Sequence, residues 1–304
     1  MDATILDIQR MSTEDGPGLR TTVFFKGCNL VCGWCHNPES INFKPDPNWF
    51  LSKCIGCSTC KTSCSHGAII RNEDGIQFDR KKCQSCGACA KRCPSNAIEL
   101  KGKKIHVTKL FNELIKDEAY FGPEGGVTLS GGEVMMQAEV ATELARLLKN
   151  KGINVAIDTA GCYDYRLLEK IMPYVDLILY DLKVFNPIEH MSLTRVDNKL
   201  ILENYKRLIV SKVRLWIRTP IIQNATDTDE NILGLAEFIK EAGYPERWEL
   251  CAFNNLCRSK YERLGIEWQY KEYGLLKRTR LEHLTALAMT VVPMAMYSGA
   301  VADI

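Results

Sequence analysis

Eleven of the fourteen cysteines in this 304-residue chain lie between Cys28 and Cys93, and this clustering limits what the chain can fold into. The first ten residues include two acids and lack the apolar segment of a secretory signal, so we expect a cytoplasmic protein. Disulfides are uncommon in that compartment, where clustered cysteines usually bind metal. The sequence therefore predicts that the N-terminal third binds metal.

A short cysteine unit occurs twice, with an offset of 29 residues between the copies. The first copy contains Cys54, Cys57, Cys60 and Cys64, and the second contains Cys83, Cys86, Cys89 and Cys93. Units this short, with few large apolar residues, depend on metal to stay folded. We predict a small pseudo-symmetric domain over residues 50–100, inserted into a larger domain formed by residues 1–49 and 101–304.

The spacing within each unit is that of bacterial two-cluster ferredoxins, in which the fourth cysteine of one unit binds the other unit's cluster. The spacing predicts two [4Fe–4S] clusters, one on Cys54, Cys57, Cys60 and Cys93, the other on Cys83, Cys86, Cys89 and Cys64. A pair of zinc sites is the alternative, but zinc usually takes its ligands as two separated pairs.

Cys28, Cys32 and Cys35 form a different motif, CxxxCxxC. Three thiolates on a four-iron cluster leave one iron without a protein ligand, and an open coordination position is typical of catalytic metal sites. The alternative is a closed site, completed by His36 or by a distant cysteine. The remaining cysteines are expected to be small core side chains: Cys162, Cys251 and Cys257.

Strand-like and helix-like segments alternate after the cysteine-rich region. The predicted strands cover residues 20–26, 127–129, 153–158, 176–181, 213–218 and 247–253. This alternation predicts repeated βα units and a parallel sheet. About six units are visible, fewer than the eight of a full (β/α) barrel, so we expect an open or partial barrel with its site at the C-terminal ends of the strands.

Glycines and charged residues follow several of these strands. They are Gly131, Gly132, Glu133, Asp158, Thr159, Asp181 and Lys183. A glycine pair lets the backbone approach a ligand closely, although such a pair is often only a turn, and an acid at a strand end is often a helix cap. Together these residues predict a pocket for a charged small molecule.

The charge balance excludes some partners. Lys+Arg is 39 and Asp+Glu is 37, so the net charge is +2 and nothing attracts the chain as a whole to nucleic acid or an anionic membrane. Residues 284–302 carry no charge over about the length of a membrane span. Their polar residues and Pro293 predict instead a closing helix, a break and a buried strand over residues 294–297.

Taken together, the motifs resemble those of the radical S-adenosylmethionine enzymes, which the CxxxCxxC motif defines. More narrowly, the chain resembles the activating enzymes of glycyl radical enzymes. The segments that carry this resemblance are 12–21 (STEDGPGLRT), 25–28 (FKGC), 35–39 (CHNPE) and 129–133 (LSGGE). The ferredoxin-like insert is typical of most members and absent from the pyruvate formate-lyase type. The resemblance therefore implies a partial (β/α)6 radical SAM barrel of the insert-containing type.

The resemblance also implies roles for individual residues. Cys28, Cys32 and Cys35 would hold the catalytic cluster, whose open iron is chelated by S-adenosylmethionine. Gly131, Gly132 and Glu133 would hold the methionine amino group. The other cofactor-binding candidates are Trp34 near the adenine, then Asp158, Thr159, Asp181, Lys183, Arg218 and Asn254. Asp15 would face the incoming protein loop and, with Lys183 and the three cysteines, is a catalytic candidate.

Two positions depart from the family pattern. The segment usually written Pro-Tyr-His appears as Ala252-Phe253-Asn254, so any role of that histidine is altered or passes to Asn254. The usual glycine in the loop after Pro220 appears as Asn224, which puts the shape of that loop in doubt.

The implied activity is reductive cleavage of S-adenosylmethionine to a 5′-deoxyadenosyl radical, which takes a Cα hydrogen from a glycine of a partner glycyl radical enzyme. An external flavodoxin or ferredoxin would supply electrons, and the insert clusters would relay them or merely brace the insert. The alternatives are a radical S-adenosylmethionine enzyme acting on a small molecule or ribosomal peptide, and a ferredoxin-type electron carrier.

Overall fold

A computed structural model describes residues 1–73 and 75–303. The strands are β1 Asp2–Ser12, β2 Arg20–Phe25, β3 Asp46–Trp49, β4 Ile69–Asn72, β5 Gly75–Phe78, β6 Ile98–Lys101, β7 Lys103–His106, β8 Gly126–Gly131, β9 Asn154–Thr159, β10 Leu177–Asp181, β11 Arg214–Ile221, β12 Arg247–Ala252 and β13 Ala295–Ser298. The helices are α1 Thr59–Thr62, α2 Ala88–Lys91, α3 Val107–Leu114, α4 Ala138–Asn150, α5 Tyr165–Ile171, α6 Pro187–Thr194, α7 Lys199–Ile209, α8 Asp229–Ala242, α9 Arg258–Leu264 and α10 Arg278–Met289.

Nine strands form one sheet in the order β13-β12-β11-β10-β9-β8-β2-β1-β7. The strands from β13 to β2 in this order run parallel, and β1 and β7 extend the sheet with antiparallel pairings. Helices such as α4 and α8 bury their apolar side chains against the sheet, which covers the parallel strands as such sheets require. The parallel α/β sheet predicted from the alternation is confirmed.

The C-terminal ends of neighbouring parallel strands lie side by side. Phe25 at the end of β2 pairs with Gly131 at the end of β8, and Asp181 at the end of β10 pairs with Arg218 on β11. The loops after these strands therefore emerge on the same side of the sheet, which is where α/β folds build their sites.

Residues 46–101 form two small antiparallel pairs, β3 with β6 and β4 with β5. The 29-residue sequence offset carries β3 onto β5, α1 onto α2, and β4 onto β6. Even the left-handed backbone positions repeat, with φ of +61° at Ser58 and +71° at Gly87. The sequence repeat is therefore also a repeat of structure.

A buried carboxylate links this repeat to the large sheet. Asp46 pairs with the ammonium of Lys26 at 3.0 Å and with the guanidinium of Arg80 at 2.9 Å. Arg80 also donates to the carbonyl of Leu264 at the end of α9, at 2.9 Å. Because the Lys26 side chain is fully buried, its charge depends on this carboxylate for compensation.

The charge-free C-terminal stretch contains the end of α10, a turn at Pro293 and a strand, β13, as predicted. The expectation that this strand is buried is wrong, because β13 is an edge strand in which only Ala295 is buried. Among the helices formed by residues 1–73 and 75–303, none has both the length and the apolar content needed to cross a membrane.

Candidate active site

A cavity of about 460 Å³ opens at the C-terminal ends of the parallel strands. The predicted site residues that line it are Cys28, Cys32, Trp34, Cys35, Gly131, Gly132, Asp158, Thr159, Asp181, Lys183, Arg218 and Asn254. The fold thus brings these residues together from six separate strand ends. Two predicted site residues, Asp15 and Glu133, lie outside this lining.

The three cysteines of the CxxxCxxC motif lie on the loop after β2, whose backbone is held by α9 and the segment that follows it. Tyr261 donates its hydroxyl proton to the carbonyl of Cys35 at 2.8 Å, and the Trp268 indole donates to the carbonyl of Gly33 at 2.8 Å. Burial raises the pKa of all three thiols. Their thiolate forms therefore need a neighbouring positive charge, as a metal centre would provide.

An aromatic cluster behind this loop was not predicted from the sequence. Tyr261 and Trp268 stack at 4.7 Å between ring centroids, and Phe253 and Tyr270 pack around Trp268. Trp34 belongs to the same cluster and also borders the cavity. Apart from Trp34, these aromatic side chains lie more than 200 residues from the cysteines in the chain, so no local sequence pattern connects them.

The glycine pair is required by close backbone contact between β8 and the cysteine loop. A Cβ atom on Gly131, whose φ is +118°, would lie 2.4 Å from the backbone nitrogen of Phe25. A Cβ atom on Gly132 would lie 2.2 Å from the carbonyl oxygen of Gly27. Both positions therefore exclude larger residues.

Glu133 is engaged within the protein. Its carboxylate accepts hydrogen bonds from the Thr159 hydroxyl at 2.8 Å, the Ala160 amide at 2.9 Å and the Met135 amide at 3.1 Å. Burial raises its pKa to about 7. The carboxylate joins the ends of β8 and β9, and its contact with a ligand ammonium group stays a prediction.

Asp158 lines the cavity and uses only one of its two carboxylate oxygens in hydrogen bonds with the described residues. One carboxylate oxygen accepts from the Ser130 hydroxyl at 2.7 Å and lies 3.8 Å from the Arg218 guanidinium. The other, Oδ1, is buried and accepts no hydrogen bond from residues 1–73 or 75–303. Burial, reinforced by the charge of Asp181, raises the pKa of Asp158 to about 6. The Oδ1 atom of Asp158 can accept a hydrogen bond from a bound ligand.

Lys183 and Arg218 both bring a positive charge to the cavity. Its ammonium pairs with the carboxylate of Asp181, and both residues line the cavity. Burial opposes the charge of Lys183, but Asp181 and the Cys32 thiol offset this and hold its pKa above the usual value.

The loop containing Asp15 is held by the buried Arg20. Arg20 donates to the carbonyls of Pro17 at 3.1 Å and Glu124 at 3.2 Å. Asp15 itself accepts from the hydroxyls of Ser12 at 2.5 Å and Thr22 at 2.7 Å, both on Oδ2, which fixes its side chain against β1 and β2. The adjacent Glu14, which the sequence analysis did not select, lines the cavity instead.

At the end of β12 the structure corrects the prediction that Cys251 is a core residue. Cys251, expected in the core, lines the cavity because β12 ends there. The ring of His36 is 3.0 Å from the carbonyl of Asn254.

The loop after Pro220 keeps the shape that a glycine would give it. Asn224 adopts φ of +58°, a left-handed conformation that asparagine tolerates.

Two further small cavities lie within residues 46–101, each lined by four cysteines. The first is lined by Cys54, Cys57, Cys60 and Cys93. The second is lined by Cys64, Cys83, Cys86 and Cys89. These are the two groups expected from the crossed ferredoxin pairing. In the described residues, no three His, Cys, Asp or Glu side chains converge on a single metal ion. A four-iron cluster takes each thiolate on a different iron, so its ligands need not converge in that way.

Comparisons with known proteins agree on one family. A family model described as a 4Fe-4S single cluster domain matches residues 14–193. The indoleacetate decarboxylase activating enzyme of Tractidigestivibacter scatoligenes is 37% identical over 296 residues, covering 93% of each chain. The (2S)-3-sulfopropanediol dehydratase activating enzyme of Klebsiella oxytoca is 35% identical, covering 93% of this chain and 92% of the relative.

A solved structure shows the same fold at low identity. It is the crystal structure of Streptococcus suis SuiB bound to precursor peptide SuiA, with a TM-score of 0.54 and 12% identity over 90% of this chain and 47% of that chain. Identity above one third along almost the whole sequence is decisive: the chain belongs to the radical S-adenosylmethionine enzymes that activate glycyl radical enzymes.

Proposed function

We propose that this chain carries out the reaction of its family in the 460 Å³ cavity, with a [4Fe–4S] cluster on Cys28, Cys32 and Cys35. The observation that carries the proposal is that these thiols share one cavity with Asp158, whose Oδ1 has no hydrogen-bond partner within the described part of the chain. When bound, the reduced cluster and S-adenosylmethionine supply the one-electron chemistry that removes a Cα hydrogen from a glycine of the partner.

The residues around the cavity fit this pair of cofactors. Three buried thiols on one loop supply soft ligands, and the glycine pair lets the backbone reach a ligand closely. Asp158 and the Lys183–Asp181 pair offer charges of both signs to a zwitterionic amino acid group. The amino group would meet Asp158 and the glycine backbone, while Glu133 keeps β8 and β9 in place.

The rest of the chain positions the cofactors and keeps water away. Trp34 lines the cavity and would cover the adenine ring, and the aromatic cluster behind it closes one side of the cavity. Glycine suits such an enclosed site as a target, because it has no side chain to block its Cα hydrogen.

We extend the proposal to the insert and the barrel. Residues 50–100 would form a ferredoxin-like domain with two [4Fe–4S] clusters, which gives three clusters in all, on a partial (β/α)6 barrel. Two four-cysteine cavities support the two extra clusters. A flavodoxin or ferredoxin would be the external electron donor.

The function is tested with the anaerobic, reconstituted protein, dithionite, S-adenosylmethionine and a glycyl radical enzyme from the same genome. We expect 5′-deoxyadenosine and a doublet EPR signal from a glycyl radical on the partner. A partner variant with its target glycine replaced by alanine serves as the control and should give no such doublet. Absence of both 5′-deoxyadenosine and the doublet with the native partner would overturn the proposal.

Replacing Asp158 by asparagine should weaken binding of S-adenosylmethionine at pH 7.5 about tenfold or more, because a charged hydrogen bond contributes roughly 1.5–3 kcal/mol. Asp158 has a raised pKa of about 6, so its carboxylate is charged above that pH and is neutralised as the pH falls through it. Wild-type affinity should therefore fall between pH 7.5 and 5.5 more steeply than that of Asp158→Asn.

Anaerobic equilibrium dialysis at the two pH values measures this difference. Asp164→Asn, which removes an exposed carboxylate at the start of α5, is the matched control and should bind like the wild type. Parallel pH profiles for wild type and Asp158→Asn would contradict a direct contact.

A further inference from the structure

The two four-cysteine cavities lie at different positions along the ladder that joins residues 46–101 to the barrel. Both lie along the β3–β6 ladder: Pro47 and Leu100 line the Cys83 cavity, whereas Trp49 and Ile98 line the Cys54 cavity. The barrel joins this ladder at Asp46, which pairs with Lys26. The Cys54 cavity therefore lies two strand residues, about 7 Å, farther from that junction than the Cys83 cavity does.

The 29-residue repeat shows which side of each unit is covered. Arg80 precedes Cys83 and is fixed against the barrel through Asp46 and Leu264. Its counterpart in the first unit is Leu51, which is 70% exposed. The same side of the unit is thus covered by the barrel in one copy and open in the other.

Two exposed apolar side chains of the first unit, Leu51 and Ile55, have charged or polar counterparts in the second unit. Ile55 is 67% exposed beside the exposed Cys57, and its counterpart in the second unit is the polar Gln84. Arg71 contacts the carbonyl of Gly56 and donates to the Ser58 hydroxyl at 2.7 Å, and its counterpart is Leu100.

We infer that the surface formed by Leu51, Ile55 and Arg71 is where a small acidic electron-carrier protein docks. The carrier gives one electron to the cluster of the Cys54 cavity, which passes it to the cluster of the Cys83 cavity and on toward the barrel. The carrier is oxidised by one electron, and no bond or proton is exchanged. This assignment rests on the proposed function of the insert.

The physical basis is that redox encounters bury little area, so exposed apolar side chains with cations around them suffice for docking. Charge at the edge of such a surface acts mainly on the association rate. Arg71 supplies a positive charge directly over the loop of the first unit. An acidic carrier would meet attraction there, next to Cys57, which is exposed as its counterpart Cys86 also is.

The test introduces the same charge at equivalent positions of the two units, as Ile55→Glu and Gln84→Glu in the full three-cluster protein. Stopped-flow absorbance follows cluster reduction by reduced flavodoxin. We expect Ile55→Glu to lower the second-order rate about tenfold, with the deficit shrinking as salt is added, and Gln84→Glu to change it less than about twofold. Equal slowing by both variants, or greater slowing by Gln84→Glu, would overturn the assignment.

Dithionite separates this inference from the proposed function. Both variants should keep their iron content and be reduced by dithionite at the wild-type rate, because this small reductant needs no docking surface. If wild-type protein reduced by dithionite makes no 5′-deoxyadenosine, the proposed function fails. If it makes 5′-deoxyadenosine but flavodoxin reduces Ile55→Glu normally, only the docking surface fails.

Discussion

Replacing Cys32 by alanine should lower the iron content from about twelve to about eight atoms per chain, since three four-iron clusters become two. The same variant should make no 5′-deoxyadenosine above background and lose the change in EPR signal that S-adenosylmethionine causes. The reason is that two thiolates cannot replace three on a cluster that already has one open iron. Iron and sulfide analysis after anaerobic reconstitution, followed by EPR with and without S-adenosylmethionine, measures both effects.

Cys162→Ala is the matched control for this loss of a thiol. Cys162 is half-buried, packs against the main core and lies outside the lining of all three cysteine cavities. It should retain about twelve irons and full cleavage activity. Twelve irons and normal cleavage in Cys32→Ala would refute the assignment of the catalytic cluster to the CxxxCxxC loop.

The parallel sheet could be predicted because its strands are buried on both sides and are separated by helices with clear 3.6-residue spacing. β1 and β7 were not predicted from the sequence, for a physical reason. β7 is an edge strand rich in lysine, as edge strands often are to prevent further pairing, and it pairs with β1 about 100 residues away. No local sequence pattern predicts a pairing between strands so far apart in the chain.

The site was predictable where spacing alone decides the chemistry. Three cysteines on one loop can be read from the sequence, but the side chains that hold this loop cannot. Tyr261 and Trp268 reach its backbone from more than 200 residues away. Motif membership also does not tell which way a side chain points: Asp15 and Glu133 are held by protein donors, whereas Glu14 and Cys251 line the cavity.

Gly131→Ala should be severely damaging, because the β8 backbone and the neighbouring β2 backbone leave no room for a methyl group. The added Cβ would lie 2.4 Å from both the nitrogen and the oxygen of Phe25, at a φ of +118°. The unfavourable φ costs about 1 kcal/mol, and relieving the overlap by moving backbone costs roughly 1–3 kcal/mol more. Because β2 leads directly into Cys28, this movement displaces the cluster, and a shift of about 1 Å can lower a rate about 100-fold.

Gly152→Ala separates the steric effect from the conformational one. Gly152 also has a positive φ, +83°, but no atom lies within 4 Å of the position its Cβ would take. This variant should therefore lose only the conformational part, about 1 kcal/mol, and keep normal formation of 5′-deoxyadenosine. Anaerobic thermal unfolding and the rate of S-adenosylmethionine cleavage compare the two variants. Equal losses in both would mean that the contact between Gly131 and Phe25 does not position the cysteine loop. A large loss confined to Gly131→Ala would show that the glycine pair acts on the cluster through the backbone, before any contact with S-adenosylmethionine is considered.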